Sequence, residues 1–319
     1  MSMSLLLDVD TGIDDAFALL LALAEPSVNL LGVSTVAGNV DLGKATRNTR
    51  QVLALAGRAD IPVWPGCVAP LLHPPANASD IHGPSGLGYA VLPEPWADLA
   101  PTHAIHAIAS AAREHEGELV LVATGPLTNI AAALVRDPEL PRRLKRFVIM
   151  GGAFREAGNV TPTAEFNIWH DPEAARIVCR AFEAEGATPI VAVGLDVTRK
   201  TRLAEADLVA LARRHPGPLT RFLQDAARFY FELMERRGEG RALVMHDPLA
   251  VAAAIDPTLL MTKAVAIDVE ISGDLTRGMT VADWRGQTKR AVNAEVALDV
   301  DAPRFIARFI EAMERLAAG

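Results

Sequence analysis

Short apolar runs and longer amphipathic segments alternate along the first two-thirds of the chain. The apolar, β-branched runs predict buried strands, and apolar residues at helical spacing predict helices packed on a core. The predicted strands are Leu5–Val9, Leu30–Val36, Ile61–Trp64, Leu119–Ala123, Phe147–Met150 and Pro189–Val193. The predicted helices are Asp14–Ala24, Leu42–Ala56, His103–Glu114, Asn129–Val135 and Pro172–Glu185. This alternation predicts an α/β fold with a mostly parallel central sheet flanked by helices.

Three segments depart from the alternation. Pro65–Pro101 is a long stretch rich in Pro and Gly, and loops of that length in compact enzymes are usually functional or disordered. Leu203–Arg237 has a mostly helical pattern. Residues 263–300 resemble several short strands around glycines, which predicts a small extra β element near the C-terminus. Because we find no linker, repeat or low-complexity tract, we predict a single domain over residues 1–319. Whether Pro65–Pro101 and Arg237–Val244 close over a ligand is open at this point.

Composition narrows the choice of partners. Of the 319 residues, 50% are hydrophobic, and the formal net charge is −8 with no basic tract. We therefore expect neither nucleic acid nor a membrane as a partner. Cys67 and Cys179 are the only cysteines, and the N-terminus has no pattern of a signal peptide. These features predict a soluble, cytoplasmic protein.

The predicted strands end in small or polar residues. These ends are Asp8–Asp15, Ala37-Gly38-Asn39, Thr124-Gly125-Pro126 and Gly151-Gly152-Ala153. In open parallel sheets, ligands bind beyond the carboxyl ends of the strands. The four ends are therefore expected to line one site.

The first of these ends carries four carboxylates within eight residues: Asp8, Asp10, Asp14 and Asp15. Like charges this close repel one another, and a cation between them would remove the repulsion. The set contains no Cys or His, and purely oxygen ligands favour Ca²⁺ or Mg²⁺ over Zn²⁺. An alternative is a strand end followed by an acidic helix cap, but capping uses one or two carboxylates rather than four.

This acidic segment resembles a family signature. Asp8-Val9-Asp10-Thr11-Gly12-Ile13-Asp14-Asp15-Ala16 is similar to the signature of the inosine-uridine preferring nucleoside hydrolases. Further motifs follow in that family's order over nearly the whole chain: Thr35–Asn39, His82-Gly83, Ala123–Asn129, Met150–Gly152, Gly158–Val160, Ala164–Asn167, Asp171–Ala175, His246-Asp247 and Gly278–Val281. Two positions depart from the pattern, Thr11 where the family commonly has Pro, and Pro84 where a polar residue often occurs.

The resemblance implies a reaction, a cofactor and an assembly. It implies a Rossmann-like nucleoside hydrolase fold. It also implies an enzyme that hydrolyses the N-glycosidic bond of purine or pyrimidine ribonucleosides to free base and ribose, through a ribosyl cation. Ca²⁺ would be held by Asp10, Asp15, the Thr124 carbonyl and Asp247, and would bind the ribose 2′- and 3′-hydroxyls and one water. Asp8 would be hydrogen-bonded nearby rather than a ligand. Homodimers or homotetramers are usual in the family. The preferred base and the place in nucleoside metabolism or salvage stay open.

The resemblance also implies roles for individual residues. Asp10 is expected to be the general base, and His246 the proton donor to the leaving base, since an imidazole titrates near neutral pH. The predicted substrate contacts are Asp14, Asn39 and Asn167 at the ribose hydroxyls, Asn159 and Glu165 at the 5′-hydroxyl, and His82 and Tyr230 towards the base. Met150 is a further predicted substrate contact. Asp247 also fits the N-cap of an apolar helix, Leu249–Ile255, with Pro248 as its first residue.

Two other functions compete with this interpretation. Leu5–Thr11 superficially fits the opening Asp-x-Asp of a haloacid dehalogenase-type Mg²⁺ phosphohydrolase, but Gly12 stands where that family has Thr or Val. The downstream Asn, Glu and His-Asp motifs would then have no function. A non-catalytic nucleoside- or sugar-binding protein is the second alternative, although every expected catalytic position is filled.

Overall fold

The strands of the protein form one large sheet and two small ones. The computed structural model describes residues 2–95 and 99–318. Its strands are β1 Met3–Val9, β2 Val28–Thr35, β3 Val63–Pro65, β4 Val120–Ala123, β5 Arg146–Met150, β6 Ile190–Val193, β7 Arg202–Ala204, β8 Ala242–Val244, β9 Leu260–Val265, β10 Ile267–Val269, β11 Thr280–Ala282 and β12 Ala294–Val300. The large sheet has eight strands in the order β3-β2-β1-β4-β5-β6-β12-β9, and its neighbours are parallel except β9, which is antiparallel to β12. The predicted mostly parallel central sheet is confirmed.

Helices cover both faces of this sheet. They are α1 Ile13–Ala24, α2 Leu42–Leu55, α3 Ser79–His82, α4 Ala104–Glu114, α5 Thr128–Arg136, α6 Leu140–Arg143, α7 Phe166–His170, α8 Pro172–Ala181, α9 Leu195–Thr198, α10 Glu205–Arg214, α11 Pro218–Arg236, α12 His246–Ile255 and α13 Ala302–Ala318. Because side chains alternate along a strand, Leu5 and Leu7 of β1 pack with α1, α11, α12 and α13, whereas Leu6 packs with α4, α5 and α8. No helix among the described residues combines the length and apolar character that crossing a membrane requires.

The structure corrects four details of the sequence prediction. The small extra β element predicted in residues 263–300 is the β10–β11 pair, whereas β9 and β12 extend the central sheet. Pro65–Pro101 contains α3, and its residues 96–98 lie outside the described part of the chain. The predicted loop Arg237–Val244 ends in β8, which pairs with β7. The helices α3, α6, α7 and α9 span only four or five residues, too few to show a helical period.

A further correction concerns the start of α12. Its N-cap is Met245, so Asp247 is the second residue of the helix rather than the cap. The Met245 N–H donates to the Thr201 carbonyl at 2.9 Å as the chain leaves β8, and helical geometry begins at the next residue. Asp247 therefore lies in the first helical turn, where a carboxylate is favoured by the helix dipole.

Helix α1 is buried on almost every side. It follows β1 directly, and Phe17 is fully buried and stacks on Phe309 of α13 with ring centroids 5.8 Å apart. At its C-terminal end the buried Glu25 accepts hydrogen bonds from Arg308 and Arg315, each at 3.1 Å. An apolar helix held at this depth fixes the position of whatever its first turn carries.

We predict that Phe17→Ala lowers the free energy of unfolding by about 3–5 kcal/mol, because it leaves a cavity where α1 packs on α13. Urea denaturation followed by far-ultraviolet circular dichroism measures the change. Val135→Ala is the matched control, since Val135 is 78% exposed and its truncation should cost at most about 0.5 kcal/mol. Equal, small losses for both variants would show that this contact does not anchor α1.

Candidate active site

The carboxyl ends of β2, β1, β4 and β5 meet at one edge of the sheet, because these strands are direct neighbours. A cleft of about 710 Å³ opens beyond them. Most predicted site residues line this central cleft: Asp14, Asn39, His82, Thr124, Met150, Asn159, Glu165, Asn167, Tyr230 and Asp247. Asp10 and Asp15 are fully buried and accept hydrogen bonds from the lining residue Asn39. His246 is half-buried and precedes the lining residue Asp247.

Backbone and amide donors hold Asp10 and Asp15 in place. The Asn39 backbone N–H donates to Oδ2 of Asp10 at 2.6 Å, and the Asn39 side-chain amide donates to Asp10 at 3.2 Å and to Asp15 at 3.1 Å. Asp15 also accepts from the Gly12 N–H at 2.9 Å and from the Thr124 hydroxyl at 2.8 Å. Two carboxylates are thus fixed against each other by neutral donors.

Two glycines make room for Asp10. A Cβ atom on Gly38 would overlap the Asp10 carboxylate, and a Cβ on Gly125 would come within 3.0 Å of its Oδ1. These glycines follow β2 and β4, the strands on either side of β1. The loops therefore close onto Asp10 with backbone rather than with side chains.

Asp14, Asp15 and Asp247 form a compact oxygen cluster. One carboxylate oxygen from each lies within 4.8 Å of the other two, and all three residues are buried. Oδ1 of Asp14 is buried without a hydrogen-bond partner among the described residues. Its neighbour His82 is 3.8 Å away, but His82 Nδ1 accepts the Ile13 N–H and so has no proton for Asp14. The cluster fits a hard divalent cation.

Burial and mutual repulsion oppose the ionised form of these carboxylates. Burial raises the pKa of Asp14 to about 7, and the Asp15 charge adds to the effect. The pKa values of Asp10 and Asp247 are raised well above their ordinary range, by burial first and by the neighbouring carboxylates next. A cation bound among them would reverse this balance by favouring the charged form.

The cluster differs in composition from the predicted ligand set. Asp14, expected to contact ribose, belongs to it, whereas Asp10 does not. The Thr124 carbonyl accepts from the Asn167 amide at 2.7 Å, and its second lone pair is left for a cation. Asp10, Asp15, Thr124 and Asp247 as the metal ligands remain a prediction.

Asp8 lies outside the oxygen cluster. Its Oδ1 accepts from the Ser34 hydroxyl at 2.5 Å and from the Asn129 amide at 2.8 Å. Burial raises the pKa of Asp8 to about 7. The Asn129 carbonyl oxygen accepts the Cys67 N–H at 2.8 Å, so this network ties β1 to the loop after β3. Sequence analysis missed Ser34 and Asn129 because hydroxyl and amide residues carry no distinctive local pattern.

The side-chain N–H groups of Asn39 and Asn167, which line the cleft, already donate hydrogen bonds within the protein. Those of Asn39 donate to Asp10 and Asp15, and those of Asn167 donate to the carbonyls of Thr124 and Met150. Each side chain is left with a carbonyl oxygen, which accepts hydrogen bonds. The cleft wall is therefore arranged to receive hydroxyl groups as donors.

Glu165 has a structural role that the sequence did not reveal. It caps α7, and its carboxylate accepts the N–H groups of Gly152, Asn167 and Ile168 at 3.1, 2.9 and 3.2 Å. Burial nevertheless raises its pKa. Asn159 accepts the Phe166 N–H at 2.9 Å through Oδ1, which leaves its amide N–H groups free to donate.

Two imidazoles flank the carboxylates. Burial lowers the pKa of His82 to about 4, and burial together with the nearby Arg199 charge lowers the pKa of His246 to about 3. This direction favours a neutral imidazole at His246, and its predicted role towards the leaving base stays a prediction. His246 Nδ1 lies 2.8 Å from the Thr198 hydroxyl, a partner that no sequence motif indicates.

Aromatic and charged residues complete the cleft. Tyr230 is largely buried, and burial raises its pKa to about 12. Met234 lies one helical turn further along α11 and also lines the cleft. The cleft is also lined by side chains that were not predicted from the sequence, among them Ile81, Phe166, Trp169, Arg199, Arg202 and Arg237. Helical spacing from Tyr230 signals Met234 and Arg237, whereas the others come from segments without a shared period.

Comparisons with known proteins show the family. The family model described as inosine-uridine preferring nucleoside hydrolase matches residues 5–307. The inosine-uridine preferring nucleoside hydrolase of Crithidia fasciculata is 37% identical, with 99% of each chain covered. The pyrimidine-specific ribonucleoside hydrolase RihA of Escherichia coli O1:K1 / APEC is 39% identical, with 96% of each chain covered.

Solved structures give the same result. A purine-preferring ribonucleoside hydrolase from Gardnerella vaginalis superimposes with a TM-score of 0.92 at 34% identity, covering 98% of this chain and 99% of that one. Since the family model spans nearly the whole sequence and the motifs converge on one cleft, the chain belongs to the inosine-uridine preferring nucleoside hydrolases and is an N-glycosyl hydrolase.

Proposed function

We propose that the protein hydrolyses purine and pyrimidine ribonucleosides to free base and ribose in a Ca²⁺-dependent reaction. The observation that carries this proposal is the buried carboxylate cluster at the floor of a cleft in which the Asn39 and Asn167 side chains are left as hydrogen-bond acceptors. Such a wall suits a ribose, which presents several hydroxyl groups. Family membership sets aside the phosphohydrolase and the non-catalytic binding protein.

The chain's own residues divide the work. Asn39 and Asn167 accept hydrogen bonds from ribose hydroxyls, Asn159 donates to the 5′-hydroxyl, and Asp10 takes the proton of the attacking water. Bound Ca²⁺ would supply the charge that keeps the carboxylates ionised and would help to orient ribose and water. Holding the reactants in line accounts for much of the rate, since orientation alone contributes several kcal/mol in model reactions.

Base departure is assigned to His246 and its surroundings. A neutral imidazole stabilises a departing base by donating a hydrogen bond to a ring nitrogen. His82, Tyr230 and Met234, which line the cleft, would contact the base. Because one relative is named pyrimidine-specific and another purine-preferring, similarity alone favours neither base class. We also propose a cytoplasmic homodimer or homotetramer, whose mass light scattering measures.

The general-base role predicts the behaviour of Asp10→Asn. This variant keeps an oxygen for the Asn39 N–H, which donates at 2.6 Å in the native protein, but removes the basicity. We expect kcat for inosine and uridine to fall about 10²–10⁴-fold with a much smaller change in KM. Reducing-sugar release is the assay, and phosphate release from a phosphate ester is the negative reaction.

Asp8→Asn is the matched control, because it removes a second buried carboxylate two residues earlier, in the strand that leads to Asp10. A variant Asp10→Asn with near-normal turnover would show that another group activates the water. Wild-type protein that releases no sugar from any nucleoside in a panel would overturn the proposed function itself.

The oxygen cluster predicts one Ca²⁺ per chain. Exhaustive chelation should abolish activity and lower the melting temperature, because it leaves repelling carboxylates buried, and added Ca²⁺ should restore both. Elemental analysis and thermal unfolding measure these effects. Asp247→Asn should weaken the response to Ca²⁺, whereas the exposed Asp60→Asn should not. Stoichiometric zinc, or full activity after chelation, would contradict the prediction.

The leaving-group role predicts a substrate-dependent effect of His246→Ala. Purines depart more readily when a ring nitrogen is hydrogen-bonded, so inosine hydrolysis should fall by a much larger factor than uridine hydrolysis. Steady-state kcat on both nucleosides measures the ratio, with the exposed His106→Ala as control. Equal losses would show that His246 acts elsewhere than on the base, and no loss would remove it from the site.

A further inference from the structure

The short helix α9 and the residue that follows it contact three segments near the active site: the loop after β5, the Gly158 backbone and His246. It follows β6, and Asp196 accepts the N–H groups of Phe154 and Arg155 at 2.9 and 2.8 Å. Arg199, directly after the helix, donates to the Gly158 carbonyl at 3.0 Å, next to Asn159. Thr198 between them lies 2.8 Å from Nδ1 of His246. The last contact reaches the residue assigned to the leaving base.

The O–H of Thr198 has one available hydrogen-bond acceptor among the described residues. Thr198 is completely buried, and His246 Nδ1 is the hydrogen-bond partner of its hydroxyl among the described residues. If Nδ1 carried the proton, the hydroxyl would accept it and its own O–H would be buried without an acceptor. Burying an unsatisfied donor is unfavourable, so the hydroxyl donates and Nδ1 accepts.

The backbone keeps the two residues in register. The Thr198 carbonyl accepts from the Thr201 N–H at 3.0 Å and from the Thr201 hydroxyl at 2.8 Å. The Thr201 carbonyl in turn accepts the Met245 N–H at 2.9 Å, one residue before His246. Thr198 is also β-branched, which restricts its χ1 rotation. Donor and acceptor are therefore placed by the same pair of segments.

We propose that Thr198 is a positioning residue that fixes His246 in the tautomer with its proton on Nε2. His246 then offers an N–H donor, not a lone pair, at the nitrogen opposite Thr198. His82 is set the same way by a different donor, since its Nδ1 accepts the Ile13 N–H at 3.1 Å. The assignment of the tautomer stands on the geometry alone, and its effect on base departure rests on the proposed function.

The tautomer is measured directly, without substrate. Long-range ¹H–¹⁵N correlation spectra of histidine-labelled protein distinguish a protonated Nε2 from a protonated Nδ1, and His246→Ala identifies the signal. The native protein should show the Nε2–H form. Thr198→Val, which removes the hydroxyl at nearly constant shape, should convert the His246 signal to the other tautomer or to a mixture, and Thr198→Ser should keep it. A native Nδ1–H form would overturn the proposal.

Kinetics test the consequence for the reaction. Thr198→Val should lower kcat for inosine about tenfold, as expected for loss of one orienting hydrogen bond, with uridine less affected and KM little changed. Thr198→Ser should restore the rate. In the His246→Ala background the same change should have no further effect, because its target is gone.

Thr220→Val controls for general loss of a buried threonine hydroxyl. Thr220 is 2% exposed, its hydroxyl donates to the His215 carbonyl at 2.8 Å, and it precedes Tyr230 by ten residues on α11. Equal kinetic losses for the two valine variants, or an additive loss in the His246→Ala background, would show that Thr198 is only structural. If the native protein cleaved no nucleoside but showed the Nε2–H tautomer, the proposed function would fail and the tautomer assignment would stand.

Discussion

Repulsion among buried carboxylates is the constraint that the rest of the site satisfies. Asp10, Asp14, Asp15 and Asp247 lie together at the end of the central sheet, where burial and their mutual charge disfavour ionisation. The carboxylates accept hydrogen bonds from neutral donors, chiefly the Asn39 backbone N–H and side-chain amide. These donors hold the oxygens in place but supply no net positive charge. A cluster built in this way could bind a metal ion, whose charge would offset the repulsion among the carboxylates.

Strand order explains why residues so far apart in sequence meet here. β1 lies between β2 and β4, so the loops that follow these two strands both pass close to Asp10, which follows β1. Gly38 and Gly125 belong to that backbone, and both approach the Asp10 carboxylate too closely for a side chain. The site thus depends on missing side chains as much as on present ones. Catalysis by positioning requires this kind of close, rigid enclosure.

Much of this could be predicted from the sequence, because the signals were local or ordered. The alternation of apolar runs indicated the parallel sheet, and the acidic segment indicated a hard cation. The capping by Glu165 and the donors around Asp8 were not predictable, since they join residues whose spacing has no period. The lowered pKa of His246 was also not predicted, because it follows from burial and from the Arg199 charge, neither of which a motif records. The small helices were missed for lack of length.

The burial of α1 has a consequence for the dynamics of the site. Asp14 and Asp15 occupy its first turn, and Phe17 and Glu25 tie the same helix to α13 near the end of the chain. A helix packed on all sides opens only with the whole domain, so its amides should be among the slowest to exchange with solvent. The carboxylates therefore cannot fray away while the fold persists. Any movement needed for substrate entry therefore has to occur in the outer wall of the cleft. The floor, which carries Asp14 and Asp15, stays fixed.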